Sequence, residues 1–171
     1  MSKDNTELEA QASSGIRRVF ERVLATTDRV SYWAIISAMG MMSLLVSAQV
    51  FARYALDMSI DSADELSRLF FVWAIFLAIP HGIKSGIHVG IDVLVMRLSK
   101  RWRQRLARVT AVFSAVLMII LFWSAAESVG NKWQELMPTI EMTAAVFYIA
   151  VLICAGHSFM HLIAQIFKRD S

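Results

Sequence analysis

The stretch Ile60–Phe76, IDSADELSRLFFVWAIF, decides the fold. Three acids, Asp61, Asp64 and Glu65, crowd the start of an apolar run, and Arg68 stands just inside it. From Leu69 to Ile83 the run holds only 15 residues free of Asp, Glu, Lys and Arg, with Lys84 closing it. At 1.5 Å per residue this is about 22 Å of helix, short of the roughly 30 Å of a bilayer's hydrocarbon core. The run crosses if Arg68 and Lys84 extend their charged ends toward the two interfaces. It makes the difference between three spans and four.

The other three runs are longer. Ser31–Ala52 holds 22 residues, Val109–Ala126 holds 18 and Met142–Phe167 holds 26, or about 33, 27 and 39 Å of helix. Apolar types make up 57% of the 171 residues, and they are concentrated in these blocks. The pattern predicts an all-α integral membrane protein with four transmembrane helices, at about 31–52, 66–84, 109–126 and 142–167. No polar segment is long enough for a soluble catalytic domain. The segment GIKSG lacks the spacing of a phosphate-binding loop, so neither an enzyme nor a transport ATPase is expected. The one cysteine, Cys154, lies inside the fourth run, where packing is its expected role.

Basic residues give the orientation. Fourteen of them precede span one, follow span four or lie between spans two and three, against three in the other loops and their edges. This asymmetry places both termini and the middle loop in the cytoplasm. The basic side suits membrane lipids with anionic headgroups, and nucleic acid is not an expected partner. Residues 1–14 are polar and read as disordered. Over 15–30, Ile16, Val19, Phe20, Val23 and Leu24 recur at helical spacing opposite Arg17, Arg18, Glu21 and Arg22, which predicts an amphipathic helix on the cytoplasmic interface. A simple extension of span one is the other reading. A second interfacial helix is expected where Ile91, Leu94, Val95 and Leu98 lead into a basic segment with Trp102.

Several residues could carry more than packing. Ser62 and Glu65 fit a capping box with Ser62 as N-cap, and Arg68 is within ion-pair reach of Asp64 and Glu65. Local capping explains these charges, and a docking surface for a partner is the functional reading. Gly40, Ser43 and Ser47 form a small-residue stripe suited to close helix packing against a sister helix or another subunit. Pro80 removes a backbone bond and kinks or ends span two. His88 and Asp92, four apart, could pin the loop that follows. His157 and His161 share a helix face, and His81 lies at similar depth. These three are the alternative haem ligands, which would make the chain a membrane cytochrome anchor. Helix-end capping by histidine outranks haem, haem outranks zinc, and neither metal nor cofactor is expected. No acid lies at mid-depth in a span, so the chain is poorly equipped to move an ion-coupled solute alone.

The motifs, taken in order, resemble the small membrane subunit (DctQ-like) of tripartite ATP-independent periplasmic, or TRAP, transporters. QVFARY ends span one, ADELSRLFFVWAIFLA opens span two, HVGIDVL follows it, and PTIEMTAAVFY precedes span four. Ser62 stands where a tryptophan is usual, and Thr143 where a second proline is usual. The resemblance implies a non-catalytic subunit in the bacterial inner membrane, partnered by a large permease subunit and a periplasmic solute-binding protein, in uptake driven by an ion gradient. Carried over by motif, the partner-binding positions are Asp64, Glu65, Arg68 and Trp73, followed by His88 and Asp92. Carboxylates are the implied solute class.

Overall fold

The computed structural model describes residues 2–85 and 99–169. Among these residues it is all-helical, apart from turns and one isolated bridge between Leu136 and Thr143. The helices are α1 (Ser2–Ala55), α2 (Asp61–Ser85), α3 (Lys100–Lys132) and α4 (Ala145–Arg169). Each contains a segment long and apolar enough to cross a membrane, spanning Arg18–Ala55, Asp61–Lys84, Val112–Lys132 and Ala145–Ala164. The short second run therefore joins the other three as a candidate span.

Helix α1 runs 54 residues without a break, about 81 Å. Composition predicts disorder over 1–14 and a separate interfacial helix over 15–30. The structure has one helix from Ser2, continuous with span one. No proline interrupts it, and its two glycines, Gly15 and Gly40, are isolated, so nothing in the chain forces a break. It ends where Asp57 takes a φ of 53°, a left-handed conformation that Asp tolerates. The amides of Leu56 and Met58 both return to the Ala52 carbonyl, each at 3.1 Å.

The short turn folds α2 back along α1. The inward positions on α1 are Leu24, Asp28, Ser31, Ile35, Ala38, Met42, Leu45, Gln49 and Ala52. Their steps alternate between three and four, the spacing of a coiled-coil seam. On α2, Ala63, Ser67, Phe70, Ala74, Leu77, His81 and Lys84 follow the same rule. Both seams are apolar in the middle and polar at the ends. Helix α2 passes through Pro80 and continues to Ser85. The helix end that proline suggests does not occur there: Pro80 is fully buried. Neighbouring helices in a membrane bundle can hold a helix together across a missing backbone bond.

Helices α3 and α4 form a second antiparallel pair, and α4 also packs on α2. Helices α2 and α4 thus make the centre, with α1 and α3 on the flanks. In the most apolar window of each span, 28% of α2 and 39% of α4 is buried, against 6% for α1 and for α3. The buried side chains of α2 and α4 are mainly small: Ala63, Ala74, Ala145, Ala150, Cys154, Ala155 and Ser158. Small residues let backbones approach closely where lipid supplies no hydrophobic drive between helices. On the flanks Phe113, Ile120, Trp123, Leu44 and Phe51 are exposed, as lipid-facing or partner-facing side chains must be. Tyr32 and Trp33 lie some 21 residues from Tyr54 on α1, about 32 Å apart, which matches two aromatic belts.

The small-residue seam makes a direct prediction. Ala150, with no exposed surface, has no room for a larger side chain. Ala150→Leu should destabilise the bundle by about 1–3 kcal/mol, whereas Ile120→Leu on the exposed flank should change little. Thermal unfolding of the purified variants in detergent measures both.

Candidate functional site: a carboxylate shared by three helices

The polar end of the α1–α2 seam contains one buried charged cluster. Asp28 of α1 is 7% exposed. Its Oδ2 accepts from Lys84 Nζ of α2 at 2.6 Å. Its Oδ1 meets His157 Nε2 at 2.9 Å and His161 Nε2 at 2.7 Å, both on α4. An ionised carboxylate only accepts, so each imidazole presents an Nε2–H. One turn along α1, the Ser31 hydroxyl donates to the Asp28 carbonyl at 3.1 Å and lies 2.7 Å from His81 Nε2 of α2. His81 can donate to that hydroxyl, whereas His157 Nδ1 is buried with no partner among the described residues. The histidines also stack loosely: the ring centroids of His157 and His161 are 4.9 Å apart, and those of His81 and His157 are 6.0 Å apart.

Placement follows from helix geometry. His157 and His161 are one turn apart on α4, and Asp28 sits on the inward seam of α1, where its carboxylate reaches both. Helices α1 and α4 share little other packing, so this carboxylate is their principal tie. A lone buried carboxylate would be costly. Here three donors on two other helices surround it. The cluster lies about 6 Å beyond Tyr32 along α1, at the level of an interface and away from the middle of the spans.

The opposite end of the bundle carries a second set of ties. Gln49 of α1 donates to Asp64 at 2.8 Å. Glu65 Oε2 accepts from the Thr139 amide at 2.9 Å and from the Thr139 hydroxyl, fastening α2 to the α3–α4 connection. The Thr143 hydroxyl lies 3.0 and 2.9 Å from the Lys132 and Trp133 carbonyls and accepts from the Ala145 amide at 3.2 Å. A proline at this position could make none of these bonds.

The residues singled out in the sequence fall unevenly. Asp64 and Glu65 are engaged with Gln49 and Thr139, and neither pairs with Arg68. Arg68 is exposed and makes no ion pair among the described residues. The Ser62 cap is not formed, because α2 already starts at Asp61, with the Ala63 amide on the Ile60 carbonyl at 3.0 Å. Trp73 is half-buried, and its Nε1–H is shielded from solvent with no acceptor among the described residues. Gly40, Ser43 and Ser47 are exposed, and a Cβ on Gly40 would meet nothing within 4 Å. The stripe therefore faces away from this chain's other helices. His88 and Asp92 lie outside the described residues. His81, His157 and His161 do come together, with their Nε2 atoms directed at Ser31 and Asp28 of α1, and nothing supports a haem between them. Sequence reasoning missed Asp28, Ser31 and the role of Lys84. The available signal was an acid lying on the apolar stripe that continues into span one.

Four membrane-length helices make this a small multi-pass membrane protein. Residues 42–171 match the family described as "Tripartite ATP-independent periplasmic transporters, DctQ component", and the chain belongs to that family. It is 24% identical over 149 residues to a Haemophilus influenzae chain provisionally described as a TRAP transporter small permease protein, covering 87% of this chain and 90% of that one. It is 32% identical over 102 residues to the C4-dicarboxylate TRAP transporter small permease protein of Vibrio cholerae, covering 60% of this chain and 44% of that one. The ectoine TRAP transporter small permease protein of Halomonas elongata is 22% identical over 152 residues, covering 86% and 78%.

The shared carboxylate can be tested by removal. Asp28→Ala leaves Lys84 and two imidazole N–H groups without their acceptor, and should cost about 3–5 kcal/mol. Lys84→Met should cost about 1 kcal/mol or less, because that side chain is 55% exposed. Paired thermal unfolding curves check the ranking, and equal losses would show that the carboxylate is not the tie between α1 and α4.

Proposed function

We propose that this chain is the non-catalytic scaffold subunit of a sodium-gradient-driven TRAP secondary transporter in a bacterial inner membrane. It holds the large permease subunit in the bilayer and extends the surface on which a periplasmic solute-binding protein docks. Both termini are cytoplasmic, with the Asp28 cluster at the inner interface and the Glu65–Thr139 tie at the outer one. The family match carries this reading. Three physical features support it. Basic residues are segregated 14 to 3 between the two sides. The spans carry no acid at mid-depth where an ion-coupled site would need one. The exposed Gly40, Ser43 and Ser47 stripe and the open flanks of α1 and α3 are available to a second membrane protein.

Asp64 and Glu65 then act by shaping the outer end, Arg68 is left available to a partner, and Trp73 offers one only the exposed part of its ring, its N–H being enclosed. The solute is a carboxylate in this reading. Two of the relatives are small permease proteins of C4-dicarboxylate and ectoine TRAP transporters, and no residue singled out here selects between such solutes.

Reconstitution tests the proposal. Vesicles holding this chain alone should take up no solute. Uptake should require the large subunit, the binding protein and an inward sodium gradient together. Within that complex, Glu65→Ala, which removes the tie to Thr139, should lower uptake. Uptake by this chain alone, or full uptake by the large subunit without it, would refute the scaffold role.

A further inference from the structure

We propose that Asp28, His157 and His161 form a binding site for one divalent transition-metal ion of the zinc class, bridging α1 to α4. The donor atoms of all three residues lie within 4.8 Å of one another, and all three residues are buried. Two imidazoles one helical turn apart, with a carboxylate from a second helix, are a donor set that zinc and its neighbours in the first transition row accept. Calcium and magnesium prefer oxygen donors and do not suit two imidazoles.

The geometry is close to what an ion needs. Bonds of about 2.0–2.1 Å at tetrahedral angles put donor atoms roughly 3.3 Å apart. The two Nε2–Oδ1 separations are 2.9 and 2.7 Å, so the cluster opens by about half an ångström, within side-chain adjustment. Each ring must carry its proton on Nδ1 so that the Nε2 lone pair faces the ion. His157 Nδ1 has no hydrogen-bond partner among the described residues, so this exchange breaks no described bond at that atom. The resulting buried N–H is a cost the metal bonds must exceed. Lys84 holds Oδ2 and leaves Oδ1 for the ion, as partners outside a metal's ligand set commonly do. Its positive charge opposes the ion, and 55% exposure of its side chain lets solvent weaken that repulsion. His81 lies beside the cluster with Nε2 on Ser31 and is not counted among the donors. A water would complete four-coordination.

The site is independent of the transport reading, and the test needs no transport assay. The full chain is purified in detergent with its affinity tag removed, stripped with a chelator, and titrated with Co²⁺. One equivalent per chain should develop the intense visible absorption of four-coordinate cobalt. Zn²⁺ should abolish it and Mg²⁺ should not. Elemental analysis after desalting should find one zinc per chain, and zinc should raise the unfolding temperature. Asp28→Asn and His161→Gln should each weaken zinc binding by about 100-fold, and His81→Gln should leave it unchanged. Absence of the cobalt spectrum in the unmodified chain overturns the proposal even if the variants fail to fold. Zinc retention by Asp28→Asn or His161→Gln as tight as that of the unmodified chain, or displacement by Mg²⁺, overturns it as well.

Discussion

The fold depends on where one carboxylate goes. Asp28 lies on the inward seam of α1 and would be an expensive guest among apolar helices if it were alone. It is surrounded instead by an ammonium from α2 and two imidazoles from α4. A buried polar group of this kind adds less stability than well-packed apolar residues would. What it adds is specificity. An apolar seam with a repeat of seven fits almost as well when shifted by one repeat, whereas a charged group fits only opposite its partners. Shifted by one heptad, Asp28 would face Leu77 in place of Lys84.

The two ends of the α1–α2 pair share this logic. Asp28 with Lys84, and Ser31 with His81, close one end; Gln49 with Asp64 closes the other. Between them the seam is alanine, leucine, isoleucine, methionine and phenylalanine, with Ser67 turning its hydroxyl back to the Ala63 carbonyl. Dispersion packing holds the middle, and directional bonds at the two ends set the register. The α3–α4 connection repeats the device through Thr139 and Thr143, which tie its loop to α2 and to the end of α3.

The four spans were legible because the bilayer imposes run length on the sequence. Even the short run declared itself through its flanking Arg68 and Lys84. Helix faces were legible too: the spacing of His157 and His161 placed both on one side of α4. Asp28 was only half legible: it continues the apolar face of the amphipathic stretch 15–30, which marks it as an odd residue without saying what it meets. Its partners are 56, 129 and 133 positions away. Spacing reveals neighbours on one helix and is silent about which helix lies opposite. The Ser62 cap failed for a related reason. Glu65 fits a local partner by spacing, and the loop carrying Thr139 supplies a better one from across the bundle. Pro80 reads as a kink or an end; it is fully buried, and α2 continues through it to Ser85.

The continuous helix α1 has a mechanical consequence. From Asp28 back to Ser2 it extends about 39 Å beyond the point where α2 and α4 grip it. A rod held at its middle by directional bonds and along its remaining length by a toothed seam neither slides nor swivels easily. It behaves as a lever with a fixed fulcrum. Force applied at the far end is delivered to the seam as torque and is not absorbed by slippage.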